Sequence, residues 1–187
     1  ALAAEDLASL QRVPKADLHA HAVLAGNRRD WESWLGHPIP SPPERMEGLE
    51  GMHRYLGEIW RPLARSRAAM EFGLRAAFRQ AAADGVVVLE MSYDTAIFDF
   101  YPEGIQAAIA FLRQAHREEA PGVAFRPELG LNQSIPVAIL ERAFDAAASA
   151  GYFRAVDLYG PEGVRDFREF QPLYRKAAAL DWKRKAH

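Results

Sequence analysis

A repeated unit of helix, glycine and β-rich run constrains the fold of this chain more than any other feature. Three helix-like stretches each close at a glycine, and a short β-rich run follows each one. The unit recurs about every 30 to 37 residues, which is the length of one βα unit. The three glycines suit the left-handed residue that ends many helices; they are Gly85, Gly122 and Gly151.

The alternation of strands and helices predicts an α/β fold with a parallel sheet. The predicted strands cover residues 15–21, 86–92, 123–131, 153–158 and 182–187. A closed (β/α)8 TIM barrel takes about 250 residues and eight strands, so five strands correspond to just over half of one. A doubly wound open sheet is the alternative, but no glycine-rich phosphate turn follows any strand. We therefore expect a single domain over residues 1–187 that forms an incomplete barrel.

Residues 22–66 interrupt this pattern between the first strand and the first regular helix. Prolines rule out a long helix in the middle of the segment; they are Pro38, Pro40, Pro42 and Pro43. We predict an irregular insertion that is able to act as a lid. Several aromatic residues there and farther along predict core or lid packing; they are Trp31, Trp34, Phe98 and Phe100.

The composition excludes several classes of function. The chain has no Cys, so thiolate zinc sites, including the site of cytidine-type deaminases, are excluded, and a metal must bind His and carboxylates. The net charge is −2, without the basic stripe of a nucleic-acid surface. No window is apolar enough for a membrane span, and the first residues do not form a signal peptide. We expect a cytoplasmic protein with a small-molecule substrate; the oligomeric state stays open.

The first predicted strand ends in a His-x-His pair. Alternation along a strand puts Asp17, His19 and His21 on one face, with the two imidazoles about 7 Å apart at their origins. Both rings can converge on one metal ion at about 2.0 to 2.1 Å. Taken alone, the pair is equally well explained as two chance histidines on a half-exposed strand.

The segments around the predicted strands resemble the adenosine deaminase family of metal-dependent hydrolases, within the amidohydrolase superfamily. VPKADLHAHAVLAGN is similar to the first-strand signature of that family, and DGVVVLEMSYD is similar to its second strand. FRAVDLYGPE resembles the fourth-strand motif, in which an acidic residue, here Glu162, follows the glycine by two positions. LDWKRKAH resembles the fifth strand, so the matches span residues 13–187.

This resemblance implies a TIM barrel of which the chain covers about the first five strands. It also implies a hydrolytic deaminase that acts on a purine nucleoside, a purine base or a related amino-heterocycle through a metal-activated water. His19, His21 and His187 would bind Zn²⁺ or another divalent ion, with a fourth, aspartate ligand beyond the chain. Gly160 would let the backbone approach the substrate ring. The general-acid glutamate is expected just after His187, so no catalytic residue is expected within the chain.

The chain begins with Ala and stops at His187 without a helix cap or polar tail, so we expect the sequence to be incomplete. It also departs from the family pattern. Val23 stands where nucleoside deaminases carry the aspartate that holds the ribose hydroxyl, which weakens the expectation of adenosine itself. The arginine usual in the second-strand motif is absent, with Met91-Ser92-Tyr93 in its place. Lys185 adds a charge to the fifth strand, and we predict that it forms an ion pair with Asp17 beneath the metal.

Other titratable residues receive plainer interpretations. Glu90 is expected to be structural, and Asp157 stays open between a structural and a catalytic role. Surface or partner-satisfied roles are expected for His37, His53 and His116.

Two further functions remain open. The first is a metal-dependent phosphoesterase of the polymerase and histidinol phosphatase type, whose first strand also resembles Asp-Leu-His-x-His. The second is a non-catalytic, barrel-derived binding protein, with which Val23 is consistent. The fourth-strand and fifth-strand matches favour the deaminase over both.

Overall fold

Five parallel strands form one sheet in the order β1-β2-β3-β4-β5. The computed structural model describes residues 6–161 and 163–187. The strands are β1 (Lys15–His21), β2 (Val86–Asp94), β3 (Ala124–Asn132), β4 (Ala155–Tyr159) and β5 (Lys183–Ala186). Every neighbouring pair is parallel, and each strand follows its neighbour in sequence. This is the strand arrangement of successive βα units in a TIM barrel, and the described residues form five of its strands, as predicted.

Helices connect the strands and cover one face of the sheet. They are α1 (Leu7–Gln11), α2 (Arg28–Leu35), α3 (Gly48–Tyr55), α4 (Arg61–Leu63), α5 (Arg67–Ala83), α6 (Ile105–Glu119), α7 (Val137–Ala150) and α8 (Gln171–Ala179). The main core lies between the sheet and α5 to α8, where the largest buried side chains include Phe78, Leu89, Leu112, Leu129 and Phe144. Burial of each such side chain contributes about 1.5 to 3 kcal/mol. The opposite face of the sheet is therefore left to form the barrel interior.

Two of the three predicted glycine caps are confirmed. Gly85 and Gly151 have φ of 75° and 66°, in the left-handed region. The prediction for Gly122 is wrong, because α6 ends at Glu119 and Gly122 has no positive φ. Pro121 explains the difference, since a proline disfavours the helical conformation in the residue before it and so ends the helix earlier.

The segment 22–66 contains α2, α3 and α4. Residues 36–47, which form neither helix nor strand, join α2 to α3, and a short π-helix, Leu56–Trp60, joins α3 to α4. The middle of the segment is irregular, as the prolines predicted, while its two ends are helical and so more regular than predicted. Trp31 is fully buried against Ile39 and Ala69, so the segment packs through a small aromatic core onto α5. Its role as a lid stays a prediction.

No helix that the structure describes is long and apolar enough to cross a membrane. The cytoplasmic location stays a prediction from the sequence.

Candidate metal site

A β-bulge in β1 decides which way its histidines point. Asp17 pairs with Leu89 and Ala20 with Met91, so β1 has one more residue than β2 over this stretch. The extra residue reverses the alternation, and Asp17 lies on the helix-covered face with Leu89, in a small cavity beside α5. His21 pairs with Ser92 on the barrel-interior face. Bulges often re-aim side chains in this way beside functional sites.

The structure brings the three predicted metal ligands together. One candidate ligand atom from each of His19, His21, His187 and Asp157 lies within 4.8 Å of the others. The Nε2 atoms of His21 and His187 are 3.1 Å apart, and the ring centres of His19 and His187 are 4.1 Å apart. Two nitrogen ligands on one tetrahedral ion are separated by about 3.3 Å. The spacing therefore fits one divalent ion between the rings.

Asp157 is the member of this cluster whose role the sequence left open. Its side chain is fully buried, and its Oδ1 lies 3.2 Å from Nδ1 of His187. This contact leaves Nε2 of His187 directed towards His21. A carboxylate on the remote nitrogen fixes the tautomer and orientation of a metal-binding imidazole. The geometry fits Asp157 as the group that orients His187.

The electrostatics of His21 suit a metal ligand. Burial of the ring lowers the pKa of His21 to about 4, against the opposing effect of Asp157 and with a smaller contribution from His19 and His187. His21 is therefore a neutral imidazole at pH 7, with a nitrogen lone pair available to a cation.

Tyr159 forms one wall of the site and was not singled out from the sequence. Its ring lies 4.8 Å from that of His21, and its hydroxyl donates a hydrogen bond to Oδ2 of Asp94 at the end of β2. The ring fits there because Gly130 has no side chain, since a Cβ at that position would lie 3.1 Å from the Tyr159 ring and 2.7 Å from Oγ of Ser92. Burial raises the pKa of Asp94 to about 6. The sequence alone does not indicate this hydrogen bond, because Asp94 and Tyr159 lie on different strands and are far apart in the chain.

The predicted ion pair between Lys185 and Asp17 is wrong. Lys185 Nζ instead pairs with Glu90 and Glu128 on the barrel-interior face, at 2.5 Å from Oε1 of Glu128. The reason is the β1 bulge, which places Asp17 on the other face of the sheet. Glu90 also accepts a hydrogen bond from Arg126, so its position in an ion-pair network agrees with the structural role expected for it.

Gly160 lies at the end of β4, beside the site, with φ of 115°. A Cβ there would approach Oδ1 of Asn132 to 2.8 Å, so backbone conformation and packing both favour glycine. Its predicted contact with a substrate stays a prediction. Glu162, the acidic residue of the same motif, lies outside the described residues.

Val23 follows the bulged strand but packs away from the metal site. It contacts both apolar clusters, and one of its methyl groups would lie 3.2 Å from a Cβ at Gly73 of α5. In this chain the side chain at position 23 therefore contributes to the apolar core between α2 and α5.

The other histidines stay apart from the cluster, as predicted. Nδ1 of the exposed His37 lies 3.1 Å from its neighbouring carbonyl at Pro38, and Nε2 of His116 lies 2.8 Å from the carbonyl of Val123. His53 lies on α3, in the inserted segment.

The chain is similar in sequence to a protein of Treponema pallidum (strain Nichols) described as a putative adenosine/adenine deaminase. The two are 31% identical over 174 residues, which are 93% of this chain and 58% of that protein. The chain thus spans about three fifths of the length of this relative. No family model matches the chain.

Solved structures share the fold at low sequence identity. The N6-methyl-AMP deaminase of Arabidopsis thaliana superposes with a TM-score of 0.75 at 16% identity, over 97% of this chain and 59% of that one. A zinc-bound amidohydrolase of Burkholderia ambifaria gives 0.72 at 19% identity, over 96% and 53%. The adenine deaminase of Arthrobacter aurescens gives 0.66 at 20% identity, over 92% and 56%. These structures show that the chain has the fold of about the first half of such a barrel, and its sequence is similar over nearly its whole length to that of a putative adenosine/adenine deaminase.

Proposed function

We propose that this chain supplies the histidine side of the metal centre in a hydrolytic deaminase that acts on a purine or a related amino-heterocycle. The observation that carries the proposal is the convergence of His19, His21 and His187 from the two edges of the half-barrel. Among the described residues, no other group of three or more His, Asp or Glu side chains is arranged to hold a metal.

The donor set supports zinc as the ion. Three imidazoles with one orienting carboxylate and no thiolate match a catalytic zinc site with an open position, and a similar structure contains bound Zn. When bound, such an ion lowers the pKa of a coordinated water to about 7 and so supplies the nucleophile for hydrolysis. His19, His21 and His187 would hold the ion, and Asp157 would orient His187.

The names of similar proteins support an aminopurine as the substrate class. They include adenosine, adenine and N6-methyl-AMP deaminases, and related Arabidopsis structures hold IMP or GMP. Replacement of the family's aspartate by Val23, which packs into the core, favours a purine base over a nucleoside whose ribose hydroxyl needs that carboxylate.

Metal analysis of the full-length protein, joined to an ammonia-release screen over purine bases, nucleosides, nucleotides and pterins, tests this proposal. We expect about one equivalent of zinc and ammonia release from at least one aminopurine. A full-length protein that binds no metal and releases no ammonia from any of these compounds would overturn it. Release of phosphate from a phosphoester in place of ammonia would favour the phosphoesterase.

A further inference from the structure

Lys185 occupies a position that the metal chemistry does not use. It lies on β5, two residues before His187, and its side chain points into the barrel interior beneath the cluster of imidazoles. Its ammonium is partly buried and has three N–H donors, which meet three acceptors. They are the backbone carbonyl of Leu18 at 2.8 Å, Oε1 of Glu128 at 2.5 Å, and Oε2 of Glu90.

These three acceptors belong to three other strands. Leu18 lies in the β1 bulge, next to His19, while Glu90 is on β2 and Glu128 is on β3. One ammonium therefore ties together four strands of the half-barrel. The backbone of Lys185 is held from the helix side as well, because its carbonyl accepts a hydrogen bond from the Tyr174 hydroxyl at 2.5 Å.

The link that Lys185 makes between β5 and β1 is important for the metal site because these two strands do not pair with each other. They are the two edges of the described sheet, yet His19 and His21 come from one and His187 follows the other. No backbone ladder between these two strands fixes the separation of the imidazoles. Within the described residues, the bond from Lys185 to the Leu18 carbonyl links the two edges directly beneath the histidines.

The network is built around Lys185 and would be left incomplete without it. Glu128 is buried, and its Oε2 has no hydrogen-bond partner among the described residues, so this carboxylate depends on Lys185 for compensation. Glu90 is shared between Lys185 and Arg126. Without the ammonium, the carboxylates of Glu90 and Glu128 would both face the barrel interior near a third carboxylate, that of Asp157, without the cation that now lies between them.

We propose that Lys185 is a positioning residue of the metal site, which holds β5 and the β1 bulge at the separation at which His19, His21 and His187 bind one ion. This inference rests on the proposed metal site and adds to it the element that sets its geometry. Outer-shell groups of this kind typically change metal affinity by about 10- to 100-fold.

Cobalt binding by the full-length protein, stripped of metal with a chelator, tests this role. Co²⁺ is the probe because its visible absorption reports the number and arrangement of ligands. We expect Lys185→Met to raise the Kd for Co²⁺ by about 10- to 100-fold and to change the absorption spectrum. Lys176→Met is the matched control, because Lys176 forms a surface ion pair with Asp145 and should leave both readouts unchanged.

A second variant separates positioning from folding. In Lys185→Met combined with Glu90→Gln and Glu128→Gln, the carboxylates no longer need a cation, and we expect circular dichroism and thermal unfolding close to those of the wild type. Cobalt affinity should stay weakened, because the link to the Leu18 carbonyl is still missing. Wild-type affinity and spectrum in either the single or the triple variant would overturn the positioning role. The metal site itself would instead be overturned if the wild type bound no cobalt, or if His21→Ala bound cobalt as tightly as the wild type.

Discussion

The Nε2 atoms of His21 and His187 lie 3.1 Å apart, although the two residues are 166 positions apart in the chain. They come from opposite edges of a five-stranded sheet, so their approach is a product of the curvature of the half-barrel rather than of strand pairing. Asp157 contacts the other ring nitrogen of His187, with its Oδ1 at 3.2 Å from Nδ1.

Replacement of Asp157 by Asn should weaken metal binding. The carboxylate fixes the orientation of His187, and an amide lacks the charge that strengthens the imidazole as a ligand. We expect Asp157→Asn to raise the Kd for zinc by about tenfold or more, measured by competition with a chromophoric chelator. Asp145→Asn, at a surface ion pair with Lys176, is the control. Equal zinc affinity in Asp157→Asn and the wild type would contradict the orienting role.

Gly73 should tolerate no side chain. A Cβ at this position of α5 would lie 2.6 Å from the ring of the fully buried Trp31, so Gly73→Ala forces the ring and α2 to shift. We expect a loss of about 1 to 3 kcal/mol in the free energy of unfolding, measured in urea. Gly57 has open space around its Cβ position, so Gly57→Ala should be neutral or slightly stabilising. Equal stability of the two variants would show that α2 does not pack on α5 as described.

Stability should depend on pH through Asp94. Its folded pKa of about 6 lies above the ordinary 3.8, so the native state binds more protons than the unfolded state between these values. Stability contributed by this group is therefore lost as pH rises from about 4 to 6. Burial is the main cause of the raised pKa and Asp99 adds to it, while the hydrogen bond from the Ala96 N–H and the charge of Arg61 oppose it.

Asp94→Asn should remove this pH dependence. Relative to the wild type, the metal-free variant should gain on the order of 1 to 2 kcal/mol in unfolding free energy between pH 4.5 and pH 7, after allowance for partial exposure. Asp166 caps the 3₁₀ turn Phe167–Phe170 as Asp94 caps Thr95–Phe100, but it is exposed, so Asp166→Asn is the matched control. A difference in unfolding free energy between Asp94→Asn and the wild type that is the same at both pH values would contradict the raised pKa of Asp94.

The strand order could be predicted from local patterns in the sequence, whereas the grouping of His19, His21 and His187 was predicted from the resemblance of their segments to a known family. Apolar runs after helix-ending glycines mark the buried strands, and His19, His21 and His187 lie at predicted strand ends. The β1 bulge could not be predicted, since register depends on which residues of β2 each residue of β1 meets. That one bulge turned Asp17 away from the interior, and the predicted pairing with Lys185 failed with it.

Asp157 and Tyr159 show the same limit. Both lie in the fourth-strand motif, yet their partners are His187 and Asp94, which are on other strands. Contacts across the barrel interior require the curvature of the whole sheet, which no single segment encodes. The space that admits the Tyr159 ring depends in addition on Gly130 of a third strand.

The metal content of the purified full-length protein and its histidine variants tests the central claim most directly. The account predicts about one equivalent of divalent metal in the wild type and in His37→Ala, whose exposed imidazole lies outside the cluster. It predicts loss of the metal in His21→Ala and in His187→Ala, with the fold checked by circular dichroism. A wild-type protein without metal, or well-folded variants that retain a full equivalent, would contradict it.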